Sequence, residues 1–172
     1  MTLGMSLHAF TMLHVIITLI AIASGLIALL GMLGSRRLPA LTALFLFTTV
    51  LTGVTGFMFP IHGFTPALGI GIISMVVLVI ALLALYGKHL AGAWRWIYVA
   101  SAVIALWFNI FVLIVQSFEK LGFLNAAAPQ VGPPFAEPVN THFAIAQGVA
   151  LVVLVVLALI AAFKFRPPQQ YA

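Results

Sequence analysis

The sequence predicts an all-α membrane protein, a bundle of five transmembrane helices with the N-terminus outside and the C-terminus cytoplasmic. Three observations carry that expectation. The 172 residues are 65% hydrophobic and only 5% charged, whereas a soluble domain carries about a quarter charged residues; lipid is the solvent that suits such a surface. The few charges fall between long uncharged runs. Nearly all the basic residues lie on one side of those runs. The expected organisation is a single transmembrane domain over 1–172, with spans at about 10–33, 40–59, 67–86, 96–118 and 141–163 and an outer proline-rich loop at 119–140.

Met1 to Ser35 contains no charged residue, and its apolar run from Phe10 to Leu33 is 24 residues. At about 1.5 Å per residue it reaches roughly 36 Å, enough to cross a bilayer with some tilt. It lacks a basic region before it and is too long for a signal-peptide core, so it is read as a helix of the mature protein. Arg36 and Arg37 stop it and Pro39 opens the next segment. The 50 residues from Leu38 to Gly87 are too many for one span, and Pro60, Gly63 and Pro66 divide them in the stretch FPIHGFTP. Lys88 and Arg95 bracket the following loop, and an uncharged run from Trp96 to Phe118 ends at Glu119 and Lys120. Leu121 to Val139 holds Pro129, Pro133, Pro134 and Pro138 and has neither helical nor strand periodicity. The last run, Thr141 to Phe163, precedes Lys164, Arg166 and the tail PPQQYA.

Five spans place Arg36, Arg37, Lys88, Arg95, Lys164 and Arg166 on one side and Lys120 alone on the other. Six against one is a positive-inside pattern that puts the N-terminus outside. Tyr86, Trp94, Trp96 and Tyr98 flank the Lys88 loop, where interfacial aromatics are expected. The net charge of +5 follows from this loop rule, and with no basic stripe or motif it does not point to nucleic acid. The bilayer is the primary partner, with a membrane protein or a second copy as the protein partner.

Helices in lipid associate through small residues and polar contacts. His14, Thr18, Ala21, Gly25 and Ala28 form such a face on the first span. Thr48, Thr52 and Thr55 form one on the second, with Thr49, Gly53 and Gly56 beside it, and Ser101, Ala105, Asn109 and Gln116 form one on the fourth. These faces are expected to point at one another. They serve either as packing or as a polar pathway.

Chemistry has few places to sit. Cysteine is absent, which removes disulfides, thiolate metal sites and Cys nucleophiles. The two carboxylates, Glu119 and Glu137, belong to the outer loop, and no span holds an acid or an interior lysine; proton-coupled carriers usually rely on intramembrane acids. No phosphate loop, HExxH or GxSxG occurs. These absences point away from an enzyme. Histidine is the informative residue: His8, His14, His62 and His142 fall toward the outer side, and His89 alone in the inner loop. His14 lies about one turn below the outer boundary, where an imidazole needs a partner or a watery cavity. His14, His62 and His142 are the candidate metal ligands. With Met5, Met12 and Met58 at the same end they suit copper, and His14 with His142 suits a haem b. Against this, His8 and His14 lack the i, i+4 spacing of a helical chelate, and the outer side offers haem propionates little beyond Lys120. In the outer loop, Pro134, Phe135 and Pro138 suit a lid or a docking strip as well as a plain connector.

The strings TALFLFTTVLTGVTGFMFP, GIGIISMVVL, LAGAWRWIYV and NIFVLIVQSFEK together resemble a group of small uncharacterised proteobacterial inner-membrane proteins. The resemblance spans about His14 to Lys120. It implies an inner-membrane location, and no activity or functional residue transfers with it. Three readings follow: a non-enzymatic accessory or assembly component; a metal- or haem-binding redox protein with an outer-side histidine site; and a pore or carrier for a small neutral solute using Thr48, Thr52, Thr55, Asn109 and Gln116.

Overall fold

A computed structural model of the chain describes residues 4–59, 66–127 and 141–166. Five of its helices are long and apolar enough to cross a membrane, which makes the chain a multi-pass helical bundle. α1 is Leu7–Leu33, α2 is Pro39–Phe57, and α3 is Pro66–Leu82, whose last turn widens into a π-helical turn at Leu83–Gly87. α4 is Trp94–Lys120, α5 is the short Gly122–Ala127, and α6 is Thr141–Lys164.

Local signals explain where these helices begin and end. Ser6 caps α1 by accepting from the Ala9 amide at 3.2 Å. α1 closes in a Schellman arrangement, with Ser35 N donating to the Met32 carbonyl at 3.0 Å and Arg36 N to the Gly31 carbonyl at 2.8 Å. Ser35 holds the left-handed position at φ 54°, which glycine usually fills. Pro39 opens α2 in its first turn, where its missing N–H costs nothing. The π turn closes with Lys88 N on the Leu83 carbonyl at 2.8 Å. A tight turn then bonds Ala91 N to the Lys88 carbonyl at 2.9 Å, with His89 at φ 49° and Leu90 at φ 60°.

α4 is the hub. It packs against α6, α3 and α1, while α1 packs chiefly on α2. The main core joins Leu29, Phe45, Leu78, Ala102, Leu106 and Leu154, one or more from each spanning helix. A second small cluster of Val115, Phe118 and Phe143 closes the opposite end, where the Phe118 and Phe143 rings meet edge to face at 5.7 Å. The outward faces of α1, α3 and α6 are rows of exposed Leu, Ile and Val, as a lipid-solvated surface requires.

The structure corrects two expectations. The fourth helix runs on through Lys120, and helical order returns at α5 in what reads as an irregular segment; Leu121, extended at φ −86° and ψ 113°, breaks the two apart. Tyr98 is not an interfacial aromatic. It is 1% exposed and packs on Phe165, whereas Tyr86 and Trp96 are exposed.

Candidate functional site

Polar residues inside a bundle must bond within it, because lipid offers no partners. The hydroxyls here do so first with their own helices. Thr18 donates to the His14 carbonyl at 2.9 Å, Thr48 to Leu44 at 2.6 Å, Thr52 to Thr48 at 2.9 Å, Thr55 to Leu51 at 2.7 Å and Ser101 to Ile97 at 2.7 Å. This back-bonding to the carbonyl four residues earlier is how Ser and Thr satisfy themselves in apolar surroundings.

What remains of their bonding capacity joins helices. His14 Nδ1 lies 2.7 Å from Thr55 Oγ1, which ties α1 to α2. One turn deeper, the Thr18 and Thr52 hydroxyls are 3.3 Å apart. Asn109 Nδ2 donates to Thr49 Oγ1 at 3.2 Å, linking α4 to α2. On the far side of α4, Gln147 Nε2 donates to the Phe111 carbonyl at 3.1 Å. The faces of α1, α2 and α4 thus meet through direct contacts, with Thr48, Thr49, Thr55 and Asn109 buried and Gln116 half-buried.

A threonine hydroxyl has one proton, and at Thr55 the 2.7 Å contact to the Leu51 carbonyl is one use for it. In the tautomer with the ring proton on Nδ1, Thr55 keeps that bond and accepts from His14, and the lone pair is on Nε2; in the other, Thr55 donates to Nδ1. The ring is held edge-on to Phe59 at 5.3 Å, with Gly56 against Cε1.

Three of the other histidines are described. His8 is exposed on the first turn of α1, His142 is exposed at the start of α6, and His89 is exposed in the turn after the π segment. Among the described residues no three of His, Cys, Asp or Glu come together as a metal site. His62 lies outside the described residues, as do Pro60, Gly63, Pro129, Pro133, Pro134, Phe135, Glu137, Pro138 and the PPQQYA tail. Met12 is 49% exposed and turns away from the bundle, while Met5 and Met58 are half-buried. Glu119 lies in the last turn of α4.

Several polar contacts escape a reading of helix faces. Trp107 Nε1 and Gln147 Oε1 are buried without hydrogen-bond partners among the described residues; a mid-span tryptophan, away from the interfaces where that residue concentrates, was the one available signal. At the basic end, Arg95 donates to the Phe165 carbonyl and Arg166 N donates to Ser35 Oγ at 3.0 Å. Both are contacts between segments far apart in sequence and leave no periodic trace. No family model matches this chain, and neither a curated protein nor a solved structure was found to be similar to it, so its own residues carry the functional reading.

Proposed function

We propose that this chain is a non-enzymatic accessory or assembly component of a bacterial inner membrane, its N-terminus outside and its basic end cytoplasmic. The observation that carries the reading is the direct closure of polar group on polar group. A carrier turns its polar side chains toward a lumen, where they replace a solute's hydration. Here Thr18 meets Thr52 at 3.3 Å and Asn109 meets Thr49 at 3.2 Å, distances that admit nothing between them. The Thr48 proton is spent on a backbone carbonyl, the Thr55 proton on a backbone carbonyl or on His14, and one hydroxyl of the Thr18–Thr52 pair turns its proton to the other. Polar groups used in this way hold helices together, and the outward surface is left to meet lipid, a membrane-protein partner or a second copy. The six-to-one division of basic residues supports the orientation.

The test is reconstitution into liposomes, with a photo-crosslinker at the exposed Val152 of α6 introduced in cells. Flux of a small neutral solute no greater than that of empty liposomes, with one discrete protein adduct in the membrane, is the expected result. Solute flux that disappears in Asn109→Leu would establish a pore instead.

A second reading has one observation in its favour. A metal-ligating histidine usually donates its other ring N–H to a fixed acceptor, and Thr55 Oγ1, 2.7 Å from His14 Nδ1, is placed to be that acceptor, which would leave Nε2 to bind copper or haem iron. A haem spectrum or stoichiometric copper in the purified protein, lost in His14→Ala, would replace the accessory reading with this one.

A further inference from the structure

Arg36 and Arg37 follow α1, Lys88 follows the π turn, Arg95 opens α4, and Lys164 and Arg166 end α6. The contacts of Arg95 with the Phe165 carbonyl and of Arg166 with Ser35 draw these ends together. Arg166 is thereby anchored beside Arg36 and Arg37. All three are exposed, and Ser35, at the centre of the corner, is fixed by the left-handed turn that closes α1. Against them stands no carboxylate: Glu119 comes 24 residues after Arg95 on the same helix, about 36 Å away, and Glu137 lies outside the described residues. Among the described residues, this end of the bundle is entirely cationic.

Its level relative to the bilayer is marked by aromatic rings. Tyr86 and Trp96 are exposed at the same end, where such rings sit among headgroups. Lys88 lies over the Trp94 ring at 5.6 Å and Arg95 over Trp96 at 5.1 Å, so part of the charge is already held at that depth. A cleft there, large enough only for water, is lined by Met32, Leu85 and Phe165 together with Thr42, Tyr98, Arg36 and Arg37. A guanidinium pairs with phosphate in a bidentate fork, and cationic side chains next to exposed apolar ones such as Leu30 and Phe163 suit a molecule that is anionic at one end and apolar at the other.

We propose that the corner formed by Arg36, Arg37 and Arg166 binds the phosphate of an anionic phospholipid in the leaflet it faces. The occupant is a lipid because the charge lies at headgroup depth and borders an apolar wall; a soluble phosphate would need only the charge. The inference does not depend on which leaflet that is, so it can fail while the orientation stands.

The experiment uses the full chain purified in a neutral detergent, exposed to equal amounts of phosphatidylglycerol and phosphatidylcholine with the same acyl chains. Lipid retained after desalting is measured by mass spectrometry. Phosphatidylglycerol is expected in at least about fivefold excess, the attraction that a single basic residue contributes near an anionic surface. Arg36→Gln/Arg37→Gln/Arg166→Gln should lose that excess, and Lys120→Gln at the other end should keep it. Thermal unfolding of the wild-type chain supplies a readout that needs no variant: phosphatidylglycerol should raise the midpoint, and inorganic phosphate at equal concentration should not. Equal retention of the two lipids, an unchanged excess in a folded triple variant, or an equal shift with inorganic phosphate would overturn the proposal.

Discussion

At Gly25 side chains of two other helices press on the backbone of α1. A Cβ built there would lie 2.7 Å from Phe45 Cδ2 and 2.9 Å from Leu106 Cδ1. Phe45 and Leu106 are 2% and 1% exposed, so neither can swing aside. Gly25→Ala is expected to lower stability by about 1–3 kcal/mol, the usual cost of overpacking, seen as an earlier midpoint in detergent unfolding. Gly148, where a Cβ meets nothing within 4 Å, is the control: Gly148→Ala should be neutral or stabilising, since alanine is the better helix former. Asn109→Leu removes the contact to Thr49 and should cost roughly 1 kcal/mol, within the range found for hydrogen bonds between membrane helices. A loss of several kcal/mol would mean that Asn109 belongs to a larger polar network than its contact with Thr49.

The links between helices hold the structure's less ordinary backbone. Ser35 sits at φ 54° at the end of α1, and its hydroxyl accepts from Arg166 N. Ser35→Ala would keep the left-handed strain and lose the acceptor. Ser35→Gly would lose the acceptor but relieve the strain, which is about 1–2 kcal/mol for a residue with a Cβ. The glycine variant should therefore unfold later than the alanine variant by about 1 kcal/mol, the reverse of their order inside a helix; unfolding of the pair side by side decides it. Much of the element level was legible in the sequence. The charged residues and prolines delimit the helices, and spacings of four and three on the first span mark Thr18, Ala21, Gly25 and Ala28, all of which are buried. The π turn and the paired left-handed residues His89 and Leu90 were not legible. The usual signal for two consecutive positive-φ residues is Asn-Gly, and burial of Leu90, at 9% exposure, overrides its backbone preference. The burial of Tyr98 was hidden for a similar reason. Its sequence position beside Trp96 suits an interface, and its packing on Phe165, just past the end of α6, turns it inward. In the candidate site, the residue types were legible and the pairings were not: helical spacing names His14 and three threonines, but the relative rotation of α1 and α2 selects Thr55 as the partner.

For the whole molecule, composition was sufficient for the coarse architecture, because only lipid solvates a chain that is 5% charged. The arrangement around α4 depended on contacts that periodicity does not encode, such as Gln147 on the Phe111 carbonyl. The absence of cysteine makes the orientation directly measurable, since any thiol introduced is unique. Single cysteines at Ser6, His89 and Phe123, all exposed positions, would be treated with a membrane-impermeant maleimide in intact spheroplasts and again after permeabilisation. The expected result is labelling of Ser6→Cys and Phe123→Cys in intact spheroplasts, and of His89→Cys only once the membrane is opened. Labelling of His89→Cys in intact spheroplasts, with the other two protected, would contradict an N-terminus outside and a cytoplasmic basic end.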